Sequence, residues 1–249
     1  MSAGWRGNEL DMNMRPQKIK ALCFDKDGTL FDFAATWEAW AASLLLRLSE
    51  GDMALATRAG AVIGFDMGLR KYSSDSIVIA GTAGEISAAL APLFAPRSVD
   101  DCLALINEEA SKAPQFPAVP LHPLLTGLRD KGLKLGVATN DAEGPARAHL
   151  DQAGVTGLFD FIAGYDSGYG GKPAAGQLLA FAQAVGVPPD QIAMVGDSTH
   201  DLHAGRTAGM RTIAVLTGAA KAPALAPLAD VVLNDIGEIP VWLAAQRAV

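Results

Sequence analysis

Short apolar runs alternate with stretches of helical spacing over most of the chain. Six of these runs have the length and composition of buried strands, and amphipathic segments of about ten residues separate most of them. Strands are predicted over 19–24, 133–138, 159–163, 192–195, 212–216 and 231–233, and helices over 124–131, 144–153, 174–185, 200–208 and 236–246. This alternation is typical of βαβ units, so we predict an α/β fold with a doubly wound, Rossmann-like, mostly parallel sheet.

The stretch from residue 33 to 117 has a different pattern. Its apolar residues recur at helical spacing with no strand pattern, as in Trp37, Trp40, Ala41, Leu44, Leu45 and Leu48. A proline-rich passage then marks a boundary. We predict an inserted all-helical cap over 33–117, a catalytic core formed by 18–32 and 118–249, and a flexible leader over 1–17.

Composition narrows the class of protein. Half of the 249 residues are hydrophobic, which excludes a disordered chain, and the net charge is −7. We expect no nucleic-acid partner, because that affinity comes from clustered Lys and Arg. We expect no membrane partner, since the longest uncharged run, 173–189, contains Gln, Gly and Pro. The two cysteines, Cys23 and Cys102, lack metal-type spacing and favour reduced thiols in a cytoplasmic protein.

Four polar clusters follow predicted strands, where a doubly wound fold binds its ligands. The first is 25–29, with Asp25 and Asp27 two residues apart after an apolar strand. At the end of a strand both carboxylates can face the same opening. Either one is a nucleophile and the other an acid or base, or both bind a divalent cation. An ordinary Asp-Gly turn is the structural alternative.

The other three clusters have simpler candidate chemistry. Thr139 and Asn140 suit a phosphate, with the start of the next helix beyond them, although the pair is also typical of a turn. Lys172 follows a Gly-rich turn and is either a phosphate ligand or a solvated charge. Asp197 and Asp201 lie four residues apart in an oxygen-rich segment that suits Mg²⁺, and a helix-capping role is compatible with this.

In this order, the four clusters resemble the four motifs of the haloacid dehalogenase superfamily. The resemblance runs from about residue 19 to 249. The helical insert lies between the first and second motifs, as in the phosphoglycolate phosphatase group. The motifs are Asp25-x-Asp27-Gly28-Thr29, Thr139-Asn140, Lys172-Pro173 and Gly196-Asp197-Ser198-x-x-Asp201.

The resemblance implies a Mg²⁺-dependent phosphatase that acts on a small phosphorylated metabolite, with phosphoglycolate as the first candidate. Asp25 is then the nucleophile that forms an aspartyl phosphate, and Asp27 protonates the leaving alcohol and later activates water. Asp25, the backbone carbonyl of Asp27 and Asp197 bind the metal, with Asp201 as a ligand or close partner. The phosphoryl group is bound by Gly28, Thr29, Thr139, Asn140 and Lys172.

Alternatives to this function stay open. A sugar-phosphate mutase of the β-phosphoglucomutase kind shares the nucleophile, the acid–base group and the helical cap. A phospho-receiver module or a non-catalytic binding protein on the same fold is the alternative from another class. The oligomeric state is predicted to be a monomer or a homodimer. Two departures from the family pattern stand out: Phe33 replaces a usual Ser, and Lys26 replaces a usual apolar residue, so we expect its side chain to point away from the metal.

Selectivity is predicted to come from the cap. The segment 64–72 is a Gly-punctuated break between cap helices with two adjacent cations, Arg70 and Lys71. Arg70 is the first candidate and Lys71 the second for binding an anionic leaving group, because a guanidinium can bind a carboxylate with two hydrogen bonds. A solvated pair on the cap surface is the alternative. His200 and His203 are interpreted as solvated or capping residues rather than zinc ligands.

Overall fold

The computed structural model describes residues 18–245. The predicted leader, 1–17, and the last residue of the helix predicted over 236–246 lie outside that range. In chain order the elements are β1 (Ala21–Phe24), α1 (Phe33–Leu48), α2 (Met53–Val62), β2 (Phe65–Asp66), β3 (Lys71–Tyr72), α3 (Ala83–Leu90), α4 (Val99–Lys112), α5 (Leu121–Asp130), β4 (Lys134–Ala138), α6 (Glu143–Gln152), β5 (Phe161–Ala163), α7 (Gly176–Val185), β6 (Ile192–Gly196), α8 (Thr199–Thr207), β7 (Arg211–Val215), α9 (Ala222–Leu225), β8 (Val231–Leu233) and α10 (Ile239–Ala245).

Six strands form one parallel sheet in the order β5-β4-β1-β6-β7-β8. Each of them overlaps a predicted strand, and α5, α6, α7 and α8 overlap predicted helices, whereas the short helix α9 was not predicted. The chain moves outward from β1 in both directions, so helices cover both faces. The prediction of a doubly wound α/β fold is therefore confirmed.

The central strand β1 shows why the sheet is buried on both faces. It pairs in parallel with β4 on one side and β6 on the other. Leu22 and Phe24 pack into the hydrophobic cluster on one face, whereas Ala21 and Cys23 pack into the cluster on the other. This two-residue alternation sends successive side chains to opposite faces. The continuous apolar run in the sequence is the consequence.

A separate hydrophobic cluster is built from the insert that follows β1. It contains α1 to α4, with Trp37 and Trp40 packed edge to face at 4.9 Å between ring centroids. The prediction that this region has no strand is wrong, because β2 and β3 form an antiparallel hairpin. The Asp66 carboxylate accepts hydrogen bonds from the backbone N–H groups of Gly68 and Leu69 and so forms the turn. Strands of two residues are too short to show a period in the sequence.

Two adjacent segments connect the insert to the sheet region. The backbone N–H of Asp32 donates to Phe116 O at 2.8 Å, and the N–H of Ala118 donates to Leu30 O at 2.9 Å. The Asp32 side chain also caps α1 by accepting from the N–H of Ala35. Entry and exit of the insert are thereby fixed side by side. This pairing lies at the predicted boundaries of the cap.

Among the described residues no helix is both long enough and apolar enough to cross a bilayer.

Candidate active site

The four predicted clusters meet at the carboxyl end of the sheet. Asp25 follows β1, Thr139 follows β4 and Asp197 follows β6, and all three line one cavity beneath the insert. Lys172 and Asp201 line it as well. The cavity measures about 640 Å³ when its open mouth is included. The structure therefore brings together residues that are up to 176 positions apart (201 − 25) in the sequence.

Three buried carboxylates form the centre of the site. Asp25, Asp197 and Asp201 each offer a ligand oxygen, and these oxygens lie within 4.8 Å of one another. The Lys172 ammonium lies 2.5 Å from Asp25 Oδ1 and 2.7 Å from Asp201 Oδ1. Asp201 is also fixed through its other oxygen, which accepts from the Ser198 hydroxyl at 2.6 Å in a capping box at the start of α8. We call Asp25, Asp197 and Asp201 the acidic trio.

The negative charge of the acidic trio is larger than the positive charge of Lys172 beside it. Burial raises the pKa of Asp25 to about 7, although Lys172 opposes this shift, and burial and neighbouring Asp201 raise the pKa of Asp197 well above its usual value. Three buried carboxylates thus have one lysine beside them, which contacts two of the three. A divalent cation with a preference for oxygen ligands, such as Mg²⁺, fits this donor set and its missing charge. The Asp27 carboxylate is outside the trio, so only its backbone carbonyl stays a predicted ligand.

Two glycines leave the space that Asp197 occupies. A Cβ atom on Gly28, which has a φ of +81°, would lie 2.6 Å from the Asp197 carboxylate. A Cβ atom on Gly218 would lie 1.6 Å from its Oδ2. The hydroxyl of Thr217 donates to Gly28 O at 2.6 Å and joins the two loops. The sequence analysis missed this loop after β7, although its Thr-Gly pair at a strand end is the same kind of signal as the other clusters.

Asp27, the predicted acid–base residue, is paired with its neighbour. Lys26 Nζ lies 2.6 Å from Asp27 Oδ1, 3.3 Å from Asp141 Oδ2 and 3.0 Å from His149 Nδ1. Burial lowers the pKa of Lys26, but Asp27 and Asp141 raise it by more, so its pKa is above the usual value. The ammonium contacts Asp27 rather than the acidic trio. Asp141 and His149 were missed by the sequence analysis, and His149 carries no sequence signal that could have found it.

The predicted phosphate ligands differ in how many of their polar atoms already form hydrogen bonds within the protein. The Thr139 hydroxyl accepts from the N–H of Asp141 at 3.0 Å, and the buried Thr29 hydroxyl has no hydrogen-bond partner among the described residues. Asn140 donates to Ala80 O at 2.8 Å and to Lys172 O at 2.9 Å, and its Oδ1 accepts from the Lys172 N–H. Both amide hydrogens of Asn140 are thus bound by carbonyls, which links the insert to the loop of Lys172.

Arg70 and Lys71 do not reach the cavity. Both are exposed on the hairpin, Arg70 in its turn with a φ of +54°, and neither is among the lining residues. The Lys71 ammonium lies 2.7 Å from Glu38 Oε2. His200 does line the cavity. The role of Arg70 and Lys71 in selectivity therefore stays a prediction that this arrangement of the site does not support.

Comparisons with known proteins agree on the family. A family model described as haloacid dehalogenase-like hydrolase matches residues 19–209. The chain is 30% identical to a phosphoglycolate phosphatase from Caulobacter vibrioides over 88% of both chains. It is 35% identical to a phosphoglycolate phosphatase from Rhodospirillum rubrum, but that alignment spans only 48% of this chain and half of the relative's length.

The fold is also similar to that of a solved structure whose name differs from that of the relatives above. The crystal structure of β-phosphoglucomutase from Clostridium difficile superposes with a TM-score of 0.64 at 17% identity, covering 93% of this chain and all of the other. At that identity the likeness concerns the fold alone. The fold by itself therefore does not separate a phosphatase from a mutase.

Proposed function

The chain belongs to the haloacid dehalogenase-like hydrolases and, within them, to the phosphoglycolate phosphatase group, and from this membership we propose that it hydrolyses a small phosphate monoester with Mg²⁺ as cofactor. The reaction proceeds through an aspartyl phosphate on Asp25. The observation that carries this proposal is the acidic trio, two of whose carboxylates contact Lys172, in one cavity with Asp27.

Lys172 prepares the nucleophile and the phosphate site together. Burial lowers the pKa of its ammonium, but Asp201 and Asp25 raise it by more, so the group stays protonated. It favours the charged form of Asp25 against the effect of burial and offers a donor to a phosphoryl oxygen. The acidic trio and the carbonyl of Asp27 would hold Mg²⁺, which would supply the remaining positive charge for an anionic carboxylate to approach an anionic phosphate.

The carboxyl groups of Asp25 and Asp27 have different roles: Asp25 forms the bond to phosphorus, and Asp27 transfers protons. A carboxylate oxygen of Asp25 forms a bond to phosphorus while the bond from phosphorus to the ester oxygen breaks, and Asp27 gives its proton to the leaving alkoxide. Asp27, now ionised, takes a proton from a water molecule that attacks the aspartyl phosphate. Inorganic phosphate leaves and Asp25 is restored. Thr139, which lines the cavity, is the further candidate for binding the phosphoryl oxygens, whereas Gly28 and Thr29 do not line the cavity and the Gly28 N–H already donates to Phe31 O.

A panel of phosphate monoesters tests this function. Purified protein with Mg²⁺ is expected to release inorganic phosphate from several small esters, phosphoglycolate among them, and to lose this activity after chelation. Hydroxylamine is expected to trap an acyl phosphate at Asp25 during turnover. A mutase would instead interconvert β-glucose 1-phosphate and glucose 6-phosphate without net phosphate release, so this result would replace the proposal.

The proposal places the protein in the cytoplasm, where buried free thiols such as Cys23 and Cys102 stay reduced.

A further inference from the structure

The cavity has two chemically different walls. The wall on the sheet side is made of the acidic trio, Asp27, Thr139 and Lys172, and it accounts for phosphate and metal. The wall on the insert side is apolar. Its aromatic members come from α1 and its aliphatic members from three other segments: Phe33, Trp37, Trp40, Val78, Ile86 and Ile106. Among the described residues that line the cavity, none from the insert carries a charge.

The nearest cations do not supply the positive charge that the insert side of the cavity lacks. Lys172 is shared by Asp25 and Asp201, and Lys26 is shared by Asp27 and Asp141. The exposed cations of the hairpin are outside the cavity lining. A carboxylate on the leaving group would therefore lose its water against an apolar wall and would lie near three other carboxylates. Both effects disfavour an anionic leaving group, because a buried charge needs a partner.

The same wall is well suited to a ring. Trp37 and Trp40 are only 6% and 4% exposed and are packed edge to face, so they form a rigid aromatic surface. Aromatic groups prefer such offset or edge-on contacts. The indole N–H of Trp40 is buried and has no hydrogen-bond partner among the described residues. An apolar wall of this kind cannot satisfy the several hydroxyls of a sugar.

We infer that the substrates of this site are phosphate monoesters of apolar alcohols or phenols with about one ring, and that Trp37 and Trp40 form the surface that selects them. The inference rests on the proposed phosphatase activity and specifies its leaving group. Among small phosphate esters it ranks two kinds below the esters of apolar alcohols: phosphoglycolate, whose leaving group is small and anionic, and sugar phosphates, whose hydroxyls find few partners on this wall.

Binding can be measured without turnover. Isothermal titration of the full chain with Mg²⁺ present compares benzylphosphonate with 4-carboxybenzylphosphonate, two ligands of similar shape that differ in one charge. We expect benzylphosphonate to bind at least tenfold more tightly. Equal affinity, or tighter binding of the carboxylated ligand, overturns the inference. Neither ligand is hydrolysed, so the binding result does not depend on turnover. A failure to hydrolyse any ester would overturn the proposed function instead.

Variants locate the selection in the wall. Val78→Lys places a cation beside the apolar surface and is expected to shift the preference at least tenfold toward the carboxylated ligand. Arg58, exposed on α2 and outside the cavity lining, provides the matched control: Arg58→Lys is expected to leave the ratio unchanged. Trp40→Phe keeps the apolar surface and the preference. A tenfold loss of the carboxylated ligand in Arg70→Ala, with benzylphosphonate unchanged, would overturn the inference and assign selectivity to the hairpin.

Discussion

The ammonium of Lys26, whose side chain has no exposed surface, lies 2.6 Å from the Asp27 carboxylate. The same ammonium lies 5.3 Å from the centre of the Trp37 ring and 3.0 Å from His149 Nδ1. His149 Nε2 is in turn 2.7 Å from Ala110 O on α4. The proposed acid–base residue is thus connected to two helices of the insert, so the position of the insert and the orientation of Asp27 depend on each other.

The first prediction concerns this buried lysine. Lys26→Met is expected to lower the free energy of unfolding by about 3–5 kcal/mol, because it leaves the buried Asp141 carboxylate and the partly buried Asp27 carboxylate without their cation. Urea unfolding followed by circular dichroism measures the loss. Lys20→Met is the control, since Lys20 is exposed beside β1 and its replacement should change stability by less than about 0.5 kcal/mol. Equal stability of both variants would contradict the structural role of Lys26.

A second prediction follows from the neutral state of His149. Its Nδ1 accepts from the Lys26 ammonium, so Nε2 carries the hydrogen that is donated to Ala110 O. Burial, together with the charge of Lys26, lowers the pKa of His149 to about 4 from the usual 6.5. The unfolded chain takes up this proton near pH 6.5 but the folded chain only near pH 4. Stability from this group is therefore complete above pH 6.5 and is lost as pH falls toward 4.

The pH dependence of unfolding measures this effect. The contribution of His149 amounts to about 3 kcal/mol over that interval, from the difference between the two pKa values. His149→Gln keeps an acceptor and a donor on the same side chain but does not titrate. The difference in unfolding free energy between the two proteins should shrink as pH falls from 7 to 4. A constant difference would show that His149 does not titrate as described.

The sequence predicted the sheet and the catalytic motifs because both are local patterns. Phe24 and Asp25 adjoin in the chain, so the end of a buried strand and its first polar residue are visible together. His149 became part of the site through a tertiary contact to Lys26 that no spacing encodes, whereas Gly218, which lies against Asp197, follows a strand end and could have been found. The sequence analysis placed Arg70 and Lys71 at the site from their charge, but charge does not predict which distant segments come into contact. In the structure the insert lines the cavity with apolar residues instead.

Metal binding is the third prediction. Mg²⁺ is expected to raise the melting temperature by about 5 °C or more at a hundredfold excess over its Kd, as binding to the folded state alone requires. Burial raises the pKa of Asp25 to about 7 and that of Asp197 too, so protons compete with the metal at low pH. The increment should therefore be larger at pH 8 than at pH 6.

Two variants check the site of this binding. Asp197→Asn is expected to abolish the thermal shift, because it removes one of the charged ligands. Asp151→Asn should keep the full shift, since Asp151 is exposed on α6 and does not line the cavity. A shift that persists in Asp197→Asn would place the cation elsewhere.

The fourth prediction separates the nucleophile from the fold. Asp25→Asn is expected to lower turnover of a phosphate monoester by more than about a hundredfold, because an amide does not attack phosphorus, and Asp27→Asn by a similar factor, because the leaving alkoxide stays unprotonated. Without divalent cations at pH 8, Asp25→Asn should melt no lower than the parent protein, since burial disfavours the ionised carboxyl. Phosphate release and thermal melts measure the two effects. Near-parental turnover by Asp25→Asn would refute the assigned mechanism.

The last prediction concerns Asn140, whose amide joins the insert to the loop of Lys172. Asn140→Ala removes three hydrogen bonds, two donated to Ala80 O and Lys172 O and one accepted from the Lys172 N–H. The expected loss is about 1–3 kcal/mol in unfolding free energy and roughly tenfold in kcat/KM, because the loop that positions the Lys172 ammonium loosens. Asn140→Asp should lose more in both measurements, since a carboxylate oxygen would then face two carbonyls. The thermal shift with Mg²⁺ should persist in both variants, because neither alters the acidic trio. Parental kcat/KM in Asn140→Asp would show that the amide donors do not position this loop.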